Sequence, residues 1–205
     1  MVTERYLPME IELNSTKLKV LLGDIVDQDV DVVVNAANER LEGGSGVDWA
    51  IHSAAGWNQL QEACRKIDGC EEGEAVITPG FKLRARYIIH TVGPVYATGW
   101  INEDGKRHNE QAKILLANCY RNSLRLAYEY GARSIAFPAI STGMYQYPIE
   151  EATDIAVLTV KQWVLDNAGV FEEIRFVMHD DFDYTVGKER IAKHFLGSSW
   201  RTDEL

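Results

Sequence analysis

From residue 31 to residue 195, short β-branched runs alternate with longer segments of helical periodicity, and this alternation restricts the fold more than any other feature of the chain. Asp31-Val32-Val33-Val34-Asn35 is apolar without polar alternation, the pattern of a strand covered on both faces. Further strand-like runs fall at 74–78, 87–92, 134–138 and 174–178, separated by helical segments at 58–67, 110–130, 149–167 and 184–195. Ala50, Ile51, Ala54 and Ala55 mark one more helix, and Ile149, Ala152, Ile155, Ala156, Val160, Trp163 and Val164 form a continuous apolar face. Ahead of these, Ile11 and Leu13 alternate with polar neighbours, and a polar turn over Asn14, Ser15, Thr16 and Lys17 leads to the run 18–22, which reads as a strand pair. Strands alternating with helices predict one α/β domain whose mixed or largely parallel sheet is covered by helices on both sides.

With 46% hydrophobic residues the chain fills a core of that size, and its 21 basic against 31 acidic residues leave a formal charge of −10. No global attraction then draws it to DNA, RNA or an anionic membrane, so any anionic ligand must be held locally. No apolar run approaches membrane-spanning length and the first twenty residues lack a signal-like apolar stretch, so a cytoplasmic protein is expected. Cys64, Cys70 and Cys119 include no Cys-x-x-Cys pair, which suggests neither a disulfide framework nor a zinc site. No metal and no cofactor are expected.

In parallel sheets ligands lie beyond the carboxyl ends of the strands, which directs attention to the loops after Asn35 and Pro138. Gly43-Gly44-Ser45-Gly46-Val47-Asp48 follows a buried strand and opens a helix. Glycines there let backbone N–H groups approach an anion, and the helix dipole favours it. Neither a dinucleotide fingerprint nor a P-loop is present: Trp49 stands where Gly-x-Gly-x-x-Gly needs its third glycine, and no Gly-Lys-Ser/Thr occurs. A second loop, Ser141-Thr142-Gly143-Met144-Tyr145, follows the 134–138 strand, so two neutral loops at one sheet edge suit a diphosphate. Asp24, Asn35 and Asn38 end strands, where they either meet a ligand or cap turns. Asp48 either acts chemically or complements the helix dipole. Residues 97–109, polar and glycine-containing, read as a mobile stretch or lid.

Taken together, Gly23-Asp24-Ile25, Val34-Asn35-Ala36-Ala37-Asn38, the glycine loop with Ala50-Ile51-His52, His90-Thr91-Val92-Gly93-Pro94 and the run from Pro138 to Tyr145 resemble the macrodomain family. The resemblance is greatest to its MacroD type, hydrolases that release ADP-ribose from acceptors and deacetylate O-acetyl-ADP-ribose. It covers nearly the whole chain and implies a single macrodomain over residues 1–205, a three-layer α/β/α sandwich around a central mixed, largely parallel sheet. By position, Asp24 would accept from the adenine amine and Ile25 would contact the ring. Asn35 would join the ligand contacts, while Gly44, Ser45, Gly46 and Val47 with Ser141, Thr142, Gly143, Met144 and Tyr145 would wrap the diphosphate. Asn38 and Asp48 would face the distal ribose as the catalytic pair, with Tyr145 packing on that sugar. Implied partners are ADP-ribose, ADP-ribosylated proteins and O-acetyl-ADP-ribose. His52, one turn after Asp48, reads as structural. One of His179, Phe182 and Tyr184 would cover the adenine. Two departures, Ser45 for a glycine and Trp49 for a small residue, keep a non-catalytic reader of ADP-ribose as the alternative.

Overall fold

The computed structural model describes residues 8–96, 100–101, 107–108 and 110–196. Strands β1 (Met9–Leu13) and β2 (Thr16–Leu22) form the expected hairpin, and β3 (Val32–Ala37) is the unalternated apolar run. Helices α1 (Val47–Ala55) and α2 (Trp57–Ile67) follow, then β4 (Ala75–Pro79) and β5 (Tyr87–Val92). A two-residue ladder pairs β6 (Trp100–Ile101) with β7 (Arg107–His108). It lies inside the segment read as a lid, whose other residues fall outside those described. The chain continues through α3 (Glu110–Glu129), β8 (Ser134–Phe137), α4 (Ile149–Asp166), β9 (Glu173–Met178) and α5 (Asp181–Phe195).

The sheet has seven strands in the order β1-β2-β9-β8-β3-β5-β4. β2, β9, β8, β3 and β5 run parallel, with an antiparallel strand at each edge. Side-chain parity sorts the apolar residues into two layers. Val32 and Val34 of β3 point into the core shared with α3, α4 and α5, where Leu116, Leu124, Val160 and Ile191 are fully buried. Val33 and Ala37 point the other way, to Ile51, Leu60 and Cys64 of α1 and α2. The three-layer α/β/α sandwich is what the strand and helix patterning anticipates. Asn35 has the parity of Val33 and Ala37 and is therefore a polar residue on the α1–α2 face of the most buried strand.

Because five adjacent strands are parallel, the segments leaving β2, β9, β8, β3 and β5 emerge at one sheet edge in that order. They carry Gly23 and Asp24, then His179 to Phe182, then the loop 138–147, then the loop 38–46, then Gly93. Three strand spacings, about 14 Å, separate β2 from β3. Gly93 is a close-approach position: a Cβ there would lie 2.1 Å from Ser141 Oγ and 2.7 Å from Ile140 Cγ2. Gly93→Ala is therefore expected to destabilise the protein by about 1–3 kcal/mol, the usual cost of overpacking. Gly143→Ala, where a Cβ meets nothing within 4 Å, should stay within about 0.5 kcal/mol of wild type. Urea denaturation of both variants decides it, and equal stabilities would show that the Gly93–Ser141 contact is loose.

Candidate functional site

At the carboxyl end of β3 the chain turns through 38–46 and enters α1, and Asp48 in the first turn of that helix is only 4% exposed. Its Oδ1 accepts from Asn35 Nδ2 at 2.7 Å and lies 3.1 Å from His52 Nδ1, while Oδ2 accepts from the Gly44 amide at 2.7 Å. Burial alone raises a carboxyl pKa, but the hydrogen bonds from His52, Asn35 and Gly44 outweigh it and hold Asp48 below its ordinary value. Burial likewise disfavours charge on His52, yet the adjacent carboxylate prevails and pushes the imidazole up to about 9. A buried Asp–His pair, one helical turn apart, thus lies directly under the glycine loop. The Trp57 ring sits 5.2 Å from the His52 ring, tilted against it, and covers the imidazole on the α2 side.

The loop above that pair is shaped by backbone. Gly46, the N-cap of α1, has φ +60° and no capping side chain, so the first-turn amides of α1 face outward without intrahelical acceptors. Gly44 lies over the carboxylate: a Cβ there would be 3.2 Å from Asp48 Oδ2 and 3.5 Å from Asn38 Nδ2. Asn38 ties the same loop, donating to the Glu42 carbonyl and accepting from the Glu42 amide. Across the mouth, Ser141 adopts φ +68° without being glycine, a conformation that costs on the order of 1–3 kcal/mol. Thr142 Oγ1 donates to the Ala139 carbonyl and the Gln146 amide to that of Gly143, which curls the loop tightly. The two loops meet where Ser45 Oγ donates to Met144 Sδ at 2.9 Å. Tyr145 is half-buried; burial and the charges of Glu72, Glu39 and Asp48 raise its pKa, keeping the hydroxyl a neutral donor.

At the other end of the edge, Asp24 Oδ1 caps the short turn Ile25–Asp27 by accepting from the Val26 amide at 3.1 Å. One carboxylate oxygen is thus engaged in the turn. Of the three aromatic candidates near β9, Tyr184 is 2% exposed and belongs to the core, whereas Phe182 is 67% exposed.

The Macro domain profile matches residues 34–156. The chain belongs to the macro domain family. It is 48% identical over 175 residues to a macro domain-containing protein of Chlorobaculum tepidum, covering 85% of this chain and 95% of that one. It is 45% identical over 179 residues to the human ADP-ribose glycohydrolase MACROD2, covering 87% of this chain but only 40% of that longer protein. An Oceanobacillus iheyensis macrodomain solved with ADP superimposes with a TM-score of 0.82 at 40% identity, covering 93% of this chain and 97% of that one. A Trypanosoma brucei macrodomain in complex with ADP-ribose gives 0.74 at 38% identity, covering 84% and 68%.

In this macrodomain the residues singled out from sequence fall into two groups. Asp48, Asn38 and Gly44 converge beneath the glycine loop, and Ser45, Gly46, Met144 and Gly143 are exposed at its mouth, with Val47 and Thr142 half-buried beside them. Asn35 does not reach the mouth: it is 0% exposed, and its amide nitrogen bonds Asp48 and His90, so its work is to hold the carboxylate. The Gly44 amide is likewise committed to Asp48, leaving the amides of Ser45, Gly46 and Val47 for an anion. Ile25 and Ser141 are buried. His52, read from sequence as structural, is fully buried and bonded to Asp48, and His90 is a second buried histidine in the same network to which the sequence assigns no role. The i to i+4 spacing of Asp48 and His52 is a signal for the first, whereas His90 needs the register of β3 with β5. Among the described residues no helix is long and apolar enough to cross a membrane, and no group of three or more His, Cys, Asp or Glu has the arrangement of a metal site.

The Asp48–His52 pair makes stability depend on pH with a definite sign. Asp48 is lowered from 3.8, so its contribution is present above that value and is lost as the pH falls through its depressed pKa. His52 is raised from 6.5 to about 9, so its contribution is complete below 6.5 and is lost as the pH rises through 9. The stability difference between wild type and His52→Gln should be steady near pH 5–6.5 and shrink towards pH 9, measured by urea denaturation across the range. A difference that stays flat to pH 9.5 would show that the pair is not ionised.

Proposed function

We propose that this protein is a single macrodomain that binds ADP-ribose along the sheet edge and hydrolyses its conjugates. The substrates are ADP-ribose esterified to acidic side chains, or O-acetyl-ADP-ribose. The observation that carries this reading is an ionised, hydrogen-bonded Asp48 beneath Gly44 and beside Asn38, at the point where two amide-rich loops meet. The order of the segments along the edge matches the order of groups in ADP-ribose. Asp24 would take the adenine amine, with Phe182 the exposed aromatic nearby. The loops 141–145 and 45–47 would take the diphosphate through neutral N–H groups, which suits a protein of charge −10. The Asn38 amide and the Tyr145 ring would hold the distal ribose.

At the reacting end, water adds its hydroxyl to the anomeric carbon, the bond from that carbon to the acceptor oxygen breaks, and the acceptor leaves as a carboxylate. For O-acetyl-ADP-ribose the water instead cleaves the acetyl ester, releasing acetate. Asp48 already accepts three hydrogen bonds and its pKa is lowered, so it is a weak base but a well-fixed acceptor. Its role is to orient the attacking water, with the substrate's own phosphate assisting the proton transfer. The human MACROD2 relative, named an ADP-ribose glycohydrolase, supports the hydrolytic reading. The second reading, a reader that holds ADP-ribose without cleaving it, is favoured by the three protein donors on Asp48, which leave its carboxylate one further acceptor site, on Oδ2.

Turnover of a mono-ADP-ribosylated acidic peptide separates the two. Wild type should release ADP-ribose, and Asp48→Ala should lose about 10²–10⁴ of kcat, the range of a positioned acid–base group, while calorimetry finds ADP-ribose affinity within about tenfold of wild type. No turnover by wild type alongside tight binding would establish the reader. Base selection is a separate expectation. A carboxylate oxygen only accepts, so Asp24 pairs with the adenine amine but opposes the oxygen of hypoxanthine. ADP-ribose should bind at least about tenfold more tightly than its inosine analogue, and Asp24→Ala should erase that preference; equal wild-type affinities would remove Asp24 from base reading.

A further inference from the structure

The histidine that no ligand reaches is the one whose protonation the structure determines. His90 lies in β5 at register with Asn35 of β3 and is fully buried. Its Nδ1 is 3.1 Å from Asn35 Nδ2, and its Nε2 is 2.9 Å from Thr78 Oγ1 on β4. The other groups facing it are the Cys64 sulfur of α2, 4.0 Å from Nε2, and the His52 ring of α1, 6.3 Å between centroids, with Asp48 beyond Asn35. Hydrogen-bond chemistry then leaves one arrangement. The Asp48 carboxylate can only accept, so Asn35 must turn its NH2 towards Asp48 Oδ1. The second hydrogen of that NH2 points at His90 Nδ1, which must be a bare lone pair. The imidazole proton is therefore on Nε2 and is donated to Thr78. Burial, with the nearby His52 charge, pushes the His90 pKa down to about 3 against the opposing pull of Asp48, in accord with a ring that stays neutral.

We propose that His90 is a positioning residue for the Asp48 carboxylate. As the neutral Nε2–H tautomer anchored on Thr78, it accepts the second Asn35 hydrogen and so fixes the plane of an amide that the Asp48 charge has already turned, and Asn35 in turn holds Asp48 under Gly44. Without the Nδ1 acceptor, one Asn35 hydrogen is left unpaired in the interior. The buried Asn35 oxygen has no partner among the described residues, so the amide is then held only by its bond to Asp48 and can rock about it, and a carboxylate aligned for one water tolerates little misplacement. The inference deepens the hydrolase reading and rests on it for its kinetic consequence alone.

Two kinds of experiment test it. Long-range 15N–1H spectra of the wild-type protein should show His90 with a pyridine-type Nδ1 and a pyrrole-type Nε2, unchanged between pH 5 and pH 8. A proton on Nδ1, or titration in that interval, overturns the proposal without any assay. His90→Leu removes the acceptor, and His90→Asn restores an oxygen near the Nδ1 position. His90→Leu should lower kcat about tenfold, the factor of one ordinary hydrogen bond, with ADP-ribose affinity within about twofold of wild type, and His90→Asn should recover most of the loss. In an Asp48→Ala background His90→Leu should cost nothing further, because the two act as a unit. An equal cost in both backgrounds would show that His90 matters only for folding. If wild type proves to be a reader without turnover, the Gly44 amide resonance reports instead. It should shift in His90→Leu and return in His90→Asn, and an unmoved resonance in a folded His90→Leu protein refutes the positioning role.

Discussion

A single carboxylate holds three parts of this protein in register. Asp48 is supplied by α1, but its oxygens are bound by a side chain of the central strand, by a histidine one helical turn away and by an amide of the glycine loop. Burying a charge costs several kcal/mol unless it is paired and hydrogen-bonded, and here it has both kinds of partner. Removing any one donor leaves the others facing a group whose solvation they no longer complete. The glycine loop is therefore not a flexible strap: its central amide is attached to the helix it introduces, and through Asn35 to the middle of the sheet.

That attachment divides the loop by function. Gly44 faces inward to Asp48, and Gly46, held at positive φ, turns the chain so that the helix starts with its amides outward. The facing loop achieves a similar end with Ser141 in a strained conformation, a cost carried by the tightly packed Gly93 and the Tyr147 amide bonded to the Ser141 carbonyl. Both loops offer neutral dipoles in place of cationic side chains. Neutral dipoles of this kind suit an anion on a protein of net charge −10.

Much of this was legible in the residues. Strand and helix periods anticipate the main elements of the sheet and its covering layers, because long amphipathic segments such as α4 and unalternated runs such as β3 leave few other choices. The glycine loop and Asp48 are readable because a helix start, positive φ and a first-turn acid are local properties. The hydrogen-bond chain from Asp48 through Asn35 and His90 to Thr78 is not, since it joins residues of α1, β3, β5 and β4 that only register and strand order bring together. Asn35 illustrates the difference. At the end of a strand an asparagine reads as a ligand contact, but its parity with Val33 and Ala37 turns it beneath the loop. The short β6–β7 ladder is not legible for a related reason: two-residue strands carry no periodicity.

Asp48 holds the loop through the Gly44 amide before any ligand arrives. Amide hydrogen exchange of Ser45, Gly46 and Gly44, followed by NMR in the free protein and with ADP-ribose, measures this directly. In the free protein the Gly44 amide should be protected, despite its position in an exposed loop, while those of Ser45 and Gly46 exchange freely and become protected only with ADP-ribose bound. A Gly44 amide that exchanges as fast as its neighbours in the free protein would show that the carboxylate does not hold the loop, and the central claim would fail.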